Sequence, residues 1–136
     1  MALWLAALLL HSGKVILTIG ETEIFGQRLS GNTAAEVGNN DFRISDMGTD
    51  ANTNIFAFTP KVNYNAANNE YLVVWSGDDD GGTSVDNEYE IYGQRLVAST
   101  GLEIGVNDFR ISDMSTDGDA DFDALEQAVL YNPTNN

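Results

Sequence analysis

The stretch DMSTDGDAD, from Asp113 to Asp121, has the most chemically pointed spacing in the chain. Oxygen-bearing side chains fall at Asp113, Ser115, Asp117 and Asp121, with Gly118 after the third. A hard cation such as calcium takes about six to eight oxygens, and alternate side chains of a tight loop converge where a glycine permits a sharp turn. Loop positions one, three, five and nine supply side-chain oxygens, and Asp119 at seven supplies a backbone carbonyl. Asp is also an ordinary turn former, so a solvated acidic loop is the competing reading of the same residues.

Other chemistries are limited by composition. No cysteine is present, which removes thiol nucleophiles, disulfides and Cys-based metal sites. His11 is the single histidine and lies beside an apolar run, which argues against a Ser-His-Asp triad and leaves a multi-His zinc site without ligands. The net charge of −15, from 21 acidic against 6 basic residues, argues against nucleic acid, which needs clustered Lys and Arg. Arg28, Arg43, Arg95 and Arg110 are four of those six, and exposed pairing with Glu23, Glu90, Asp41 or Asp108 is expected of them. Trp75, Tyr71, Tyr92, Phe42 and Phe109 have strand spacing, which makes core packing their expected role.

The elements that must position these residues are duplicated. NDFRISDM occurs at Asn40–Met47 and again at Asn107–Met114, and the offset, Ile91 minus Ile24, is 67 residues. Residues 21–69 aligned with 88–136 agree at 26 of 49 positions, enough to predict like conformations that pack on one another. The first copy of the acidic loop, DMGTDANTN, has Gly48 for the second ligand, Ala51 for the glycine and Asn54 for the last aspartate. Weak binding or none is expected there.

Strand periodicity describes the unit. EYLVVWSG places Tyr71, Val73 and Trp75 on one face and Leu72 and Val74 on the other, so both faces must be covered. FAFTPKVNY precedes it across the turn NAANN, and EYEIYGQRLV leads through ASTGLEIG into NDFRIS, where Phe109 and Ile111 share a face. Two hairpins make a four-stranded antiparallel sheet. FDALEQAVLY looks helical, but its counterpart IFAFTPKVNY contains Pro60, and the repeat predicts strand for both.

A tandem four-stranded sheet with both faces apolar resembles a β-propeller blade. The resemblance implies an all-β fold of blade-like units of about 67 residues. From Thr22 the chain would supply the outer half of one blade, a whole blade, and the first strand of a third. That count predicts a piece of a longer array, or closure by self-association. The acidic loop in turn resembles the calcium loop of integrin-α-type (FG-GAP-like) propeller repeats, D-x-D-x-D-G-x-x-D, with Ser115 at the second position. This likeness implies Ca2+ ligands at Asp113, Ser115, Asp117, Asp119 and Asp121. It is also similar to the EF-hand loop, except that position twelve is Ala124. A second acidic stretch, SGDDDGGTSVDNE, loosely resembles the Asp-box of sialidase-type propellers, with Asp78 and Val85 departing from that pattern.

Residues 1–20 open with an apolar run from Ala2 to Leu10, too short to span a bilayer and suited to the core of a secretory signal. A buried N-terminal strand or helix is the other reading. With the signal, the expected location is secreted or at the cell surface. Together these features predict a calcium-stabilised extracellular repeat module that binds a protein or glycan. A piece of a secreted propeller glycosidase or lyase, and a plain spacer in a surface protein, are the alternatives.

Overall fold

A computed structural model describes residues 22–49, 52, 54–79, 88–114, 119 and 121–135, together with the backbone of Ala2–Ala7. Among them there is no helix. Seven strands form: β1 (Ala2–Ala7), β2 (Phe25–Ser30), β3 (Phe42–Arg43), β4 (Phe56–Asn65), β5 (Glu70–Asp78), β6 (Glu90–Val97) and β7 (Glu103–Arg110). They make two antiparallel sheets, a first of order β1-β2-β3 and a second of order β4-β5-β6-β7. The described residues close into neither a barrel nor a propeller ring.

The second sheet is the predicted pair of hairpins in sequential order. β4 and β5 pair from Asn65↔Glu70 back to Phe56↔Asp78, with a register shift between Phe58 and Lys61. Pro60 lies in that shift, where a residue without an N–H is tolerated, and Thr59 takes a positive φ of 51°. β7 starts at Glu103, several residues before NDFRIS, so part of the expected turn is strand. The backbone of Ala2–Ala7 pairs with β2 along its whole length. Within the apolar run Ala2–Ala7 is a strand, and residues 8–21 lie outside the described residues.

Stacking of the two sheets builds the core. The first sheet contributes Ile24 and Ile44, with Phe42 and Met47 at the margin. The second contributes Ala57, Val73, Trp75, Tyr92 and Leu96, with Val62 and Tyr71 beside them. Tyr71, Val73 and Trp75 therefore do share the buried face that their alternation predicts, opposite Leu96, Gln94 and Tyr92 of β6. Burial of side chains this large is worth about 1.5–3 kcal/mol each. The Trp75 indole N–H meets Met47 Sδ at 2.9 Å and so ties the two sheets together.

Residues 121–131 differ from their counterpart β4. They are neither helix nor strand, although Glu126 repeats the positive φ of Thr59. The segment lies against the second sheet: Asn63 Nδ2 donates to the Val129 carbonyl at 3.0 Å, and Ser76 Oγ donates to Gln127 Oε1 at 2.9 Å. β4 is a strand because β5 pairs with it, and no strand pairs with 121–131 among the described residues.

Candidate functional site

Of the five expected calcium ligands, Ser115 and Asp117 lie outside the described residues, as does Gly118. Asp113 is exposed and its Oδ1 stands 3.5 Å from Arg110 Nη2. Asp119 acts as a turn former: its carboxylate accepts from the Asp121 N–H at 3.3 Å and its carbonyl from the Phe122 N–H at 3.1 Å. Asn52 accepts from the Asn54 N–H at 3.1 Å in the first copy, so both loops contain the same turn 67 residues apart. Among the described residues no group of three or more His, Asp or Glu side chains is gathered around one point. The second acidic stretch lies outside the described residues from 80 to 87.

The best-built polar constellation was not singled out by spacing. In each copy a buried glutamate is clamped by an arginine and a serine from the adjacent strand. Arg43 Nη2 donates to Glu23 Oε1 at 2.5 Å, and Arg110 Nη2 donates to Glu90 Oε1 at 2.9 Å. Ser45 and Ser112 donate their hydroxyls to the second carboxylate oxygens. Each serine oxygen also accepts a backbone N–H, from Ile24 or Ile91, at 2.7 Å. The antiparallel pairing of Phe25 with Arg43 sets Glu23, Arg43 and Ser45 on one face, because residues two apart share a face. These are not the exposed pairs that the charge pattern predicts: Glu23 and Glu90 are both buried, and the arginines are only partly exposed.

Glutamines complete the frame. Gln27 Oε1 accepts the Asp41 N–H at 2.8 Å, and Gln94 Oε1 accepts the Asp108 N–H at 3.0 Å. Asp41 and Asp108 have matching positive φ values of 44° and 43°, a conformation costly for most side chains and tolerated by Asp. The signal for all these residues was present in the repeat: Glu, Gln, Arg and Ser recur at identical offsets. Arg95 takes a different partner, Glu70, at 2.6 Å.

Electrostatics separates the acids. Burial works against the Glu90 charge, but hydrogen bonds from Ser112, the Met114 N–H and Arg110 outweigh it and hold this carboxyl below its ordinary range. Asp108 is the opposite case. Burial, helped by the charges of Glu23, Glu103 and Asp46, pushes it up to about 6 against the hydrogen bond it accepts from the Asp46 N–H at 2.6 Å. Its Oδ1 is buried with no hydrogen-bond partner among the described residues. Burial, and then a hydrogen bond to Asp79, also raise Tyr92, which keeps that phenol neutral. Glu90 and Tyr92 thus titrate within the second sheet, and Asp108 at the joint between the sheets. Comparison of the chain with protein-family models, curated proteins and solved structures returns no match.

Proposed function

We propose that the chain belongs to a non-catalytic, propeller-type repeat array, secreted or displayed at the cell surface. Its stacked sheets present acidic loops to a protein or glycan, and calcium stabilises the Asp113–Asp121 loop. The observation carrying this reading is that both copies build the same Glu–Arg–Ser clamp with the same atoms. Polar residues duplicated in position and bonding serve the scaffold in both units. Specificity then falls to the loops, where the copies differ and where folds of many kinds carry their binding residues. Support for the cation comes from the alternate oxygens of the second copy, with Asp113 and Asp121 exposed on either side of the loop.

Calcium that binds only the folded loop stabilises it by about 1.4 kcal/mol at ten times Kd. That corresponds to a rise of roughly 5 °C in melting temperature for a domain of this size. The test is a thermal melt in millimolar calcium against chelator at matched ionic strength, for the native chain and for Asp113→Asn with Asp121→Asn. A rise in the native chain that the double variant lacks is expected. Superimposable native curves would remove the metal from this reading.

A further inference from the structure

The two copies bond alike internally but are covered differently. Ile44 is 0% exposed, whereas its counterpart Ile111 is 49% exposed. Ile55 is 9% exposed and its counterpart Phe122 50%. Met47 packs at the core margin, while Met114 is exposed. Arg28 is buried, and its counterpart Arg95 is open to solvent. These residues lie on or beside the face that carries Gly26 in the first sheet and Gly93 in the second. In each sheet an isoleucine and a phenylalanine sit over that glycine, Ile44 and Phe42 or Ile111 and Phe109.

What covers this face in the first copy is known. It is the opposite face of the second sheet, with Tyr92, Gln94 and Leu96 along β6 and Asp108 on β7. The first sheet has that opposite face too, with the half-buried Phe25 and Leu29 on either side of the buried Gln27 at the same positions along β2, and the exposed Asp41 in place of Asp108. We infer that the Ile111–Met114–Phe122 face of the second sheet docks on the Phe25–Gln27–Leu29 face of the first sheet in a second copy of this chain, head to tail.

Within one chain the Asp46 N–H donates to Asp108 across the sheets at 2.6 Å. Between chains the Asp113 N–H would donate to the second copy's Asp41, which has the same backbone conformation as Asp108. The joint would also bring residues 121–131, where Leu130 is 89% exposed, toward the edge of the second copy's three-stranded sheet. That sheet ends at β1, where the four-stranded sheet continues from β5 to β4. Among the described residues no strand pairs with the far edge of β1, and an unpaired segment carrying Leu125, Val129 and Leu130 beside such an edge is a ready addition. Because the two docking faces differ, the contact is heterologous and repeats until a ring closes. With two sheets per chain and rings of about four to eight sheets, closure takes about two to four chains.

The inference rests on the stacked-repeat part of the proposed function and not on its calcium. The test is sedimentation of the full chain over a range of concentrations, in enough salt to screen the mutual repulsion of acidic molecules. Ile111→Glu closes one face and Leu29→Glu the other, each checked for folding by circular dichroism; Phe122→Glu replaces the first if it melts early. The native chain is expected to grow in mass with concentration and each variant to stay monomeric. An equimolar mixture of the two variants should form dimers, since each retains the face that the other lacks. A native chain that stays monomeric, a variant that assembles like the native chain, or a mixture of folded variants that stays monomeric overturns the inference. A monomer that still responds to calcium would sink the joint alone. Assembly with a flat calcium response would remove the metal and leave the joint.

Discussion

Glu90 receives hydrogen bonds from Arg110 Nη2, the Met114 N–H and the Ser112 hydroxyl, in a position closed to water. Replacing it by Gln removes the charge that Arg110 faces and puts an N–H2 where only acceptors fit. A hydrogen bond to a charged group is worth about 1.5–3 kcal/mol, so Glu90→Gln is expected to cost about 2–3 kcal/mol in a urea melt. Glu23→Gln should cost about as much, since the same clamp holds it. Ser112→Ala leaves the Ile91 N–H without its acceptor and should cost about 1–2 kcal/mol. The pH dependence has two limbs of opposite sign. Glu90 is held below its ordinary 4.5, so its stabilisation is complete above that value and is lost as pH falls through the lower, folded-state pKa. Asp108 is raised from 3.8 to about 6, so its folded form holds the proton more tightly. It destabilises fully above pH 6, and that penalty fades as pH falls toward 3.8. From these two groups stability is therefore expected to rise as pH falls below 6 and to turn over near the ordinary 4.5 of Glu90, where the two windows overlap. Asp108→Asn should flatten the upper limb and stabilise the protein at neutral pH. Asp108 is partly exposed, so screening keeps that gain to about 1 kcal/mol or less. Melting temperatures of both proteins across pH 4–8 decide it; parallel curves would mean that Asp108 does not titrate in this window.

A difference in covering gives twin glycines at the element scale different tolerances. A Cβ on Gly26 would stand 2.6 Å from Ile44 Cδ1, inside the core where Ile44 cannot step aside. On Gly93 it would stand 3.0 Å from Ile111 Cδ1, and Ile111 is half open to solvent. Gly26→Ala is thus expected to cost about 1–3 kcal/mol, the range for overpacking, and Gly93→Ala clearly less. Equal costs in chemical denaturation would show that Ile111 is as confined as Ile44. Strand alternation made both hairpins of the second sheet and the buried Tyr71–Val73–Trp75 face legible in the sequence. Periodicity is local and survives without knowledge of partners. The state of residues 121–131 was only half legible: the repeat excluded a helix, but a strand exists only where another chain segment pairs with it, and pairing is not written in the segment itself. The clamp was readable in principle from the coincidence of Glu, Gln, Arg and Ser at equal offsets. Its arginine–glutamate pairs are expected from the charge pattern but as exposed pairs, because charge patterns alone do not distinguish a buried carboxylate from an exposed one. Within the acidic loop, the spacing named Asp119 and Asp121 as cation ligands, and the same spacing makes an Asx turn, as Asn52 and Asn54 show in the first copy.

For the whole molecule, duplication explains why the sheets stack. One face of the first copy fits the opposite face of the second, and that contact makes the joint between the two sheets. Against that attraction stands the charge of −15, carried by 21 acids with only 6 basic residues to oppose them. The ion pairs fixing the fold, Glu23–Arg43 and Glu90–Arg110, have their carboxylates buried and so are little affected by added salt. Most of the other acids among the described residues face water, where repulsion acts over a screening length of about 10 Å at 0.1 M salt. Raising sodium chloride should then relieve repulsion in the folded state more than it weakens the internal pairs, and the melting temperature is expected to climb by a few degrees before levelling off. Exposed pairs, among them Arg95–Glu70, Arg43–Asp46 and Arg110–Asp113, work in the other direction, and such pairs contribute about 0.2–1 kcal/mol each. A melting temperature that falls with salt would mean that surface attraction, and not repulsion, dominates this acidic protein. Calcium compared with sodium at equal ionic strength then separates the two effects. Screening acts on all the exposed acids and depends on ionic strength alone, whereas a bound cation acts through one loop and should disappear with Asp113→Asn.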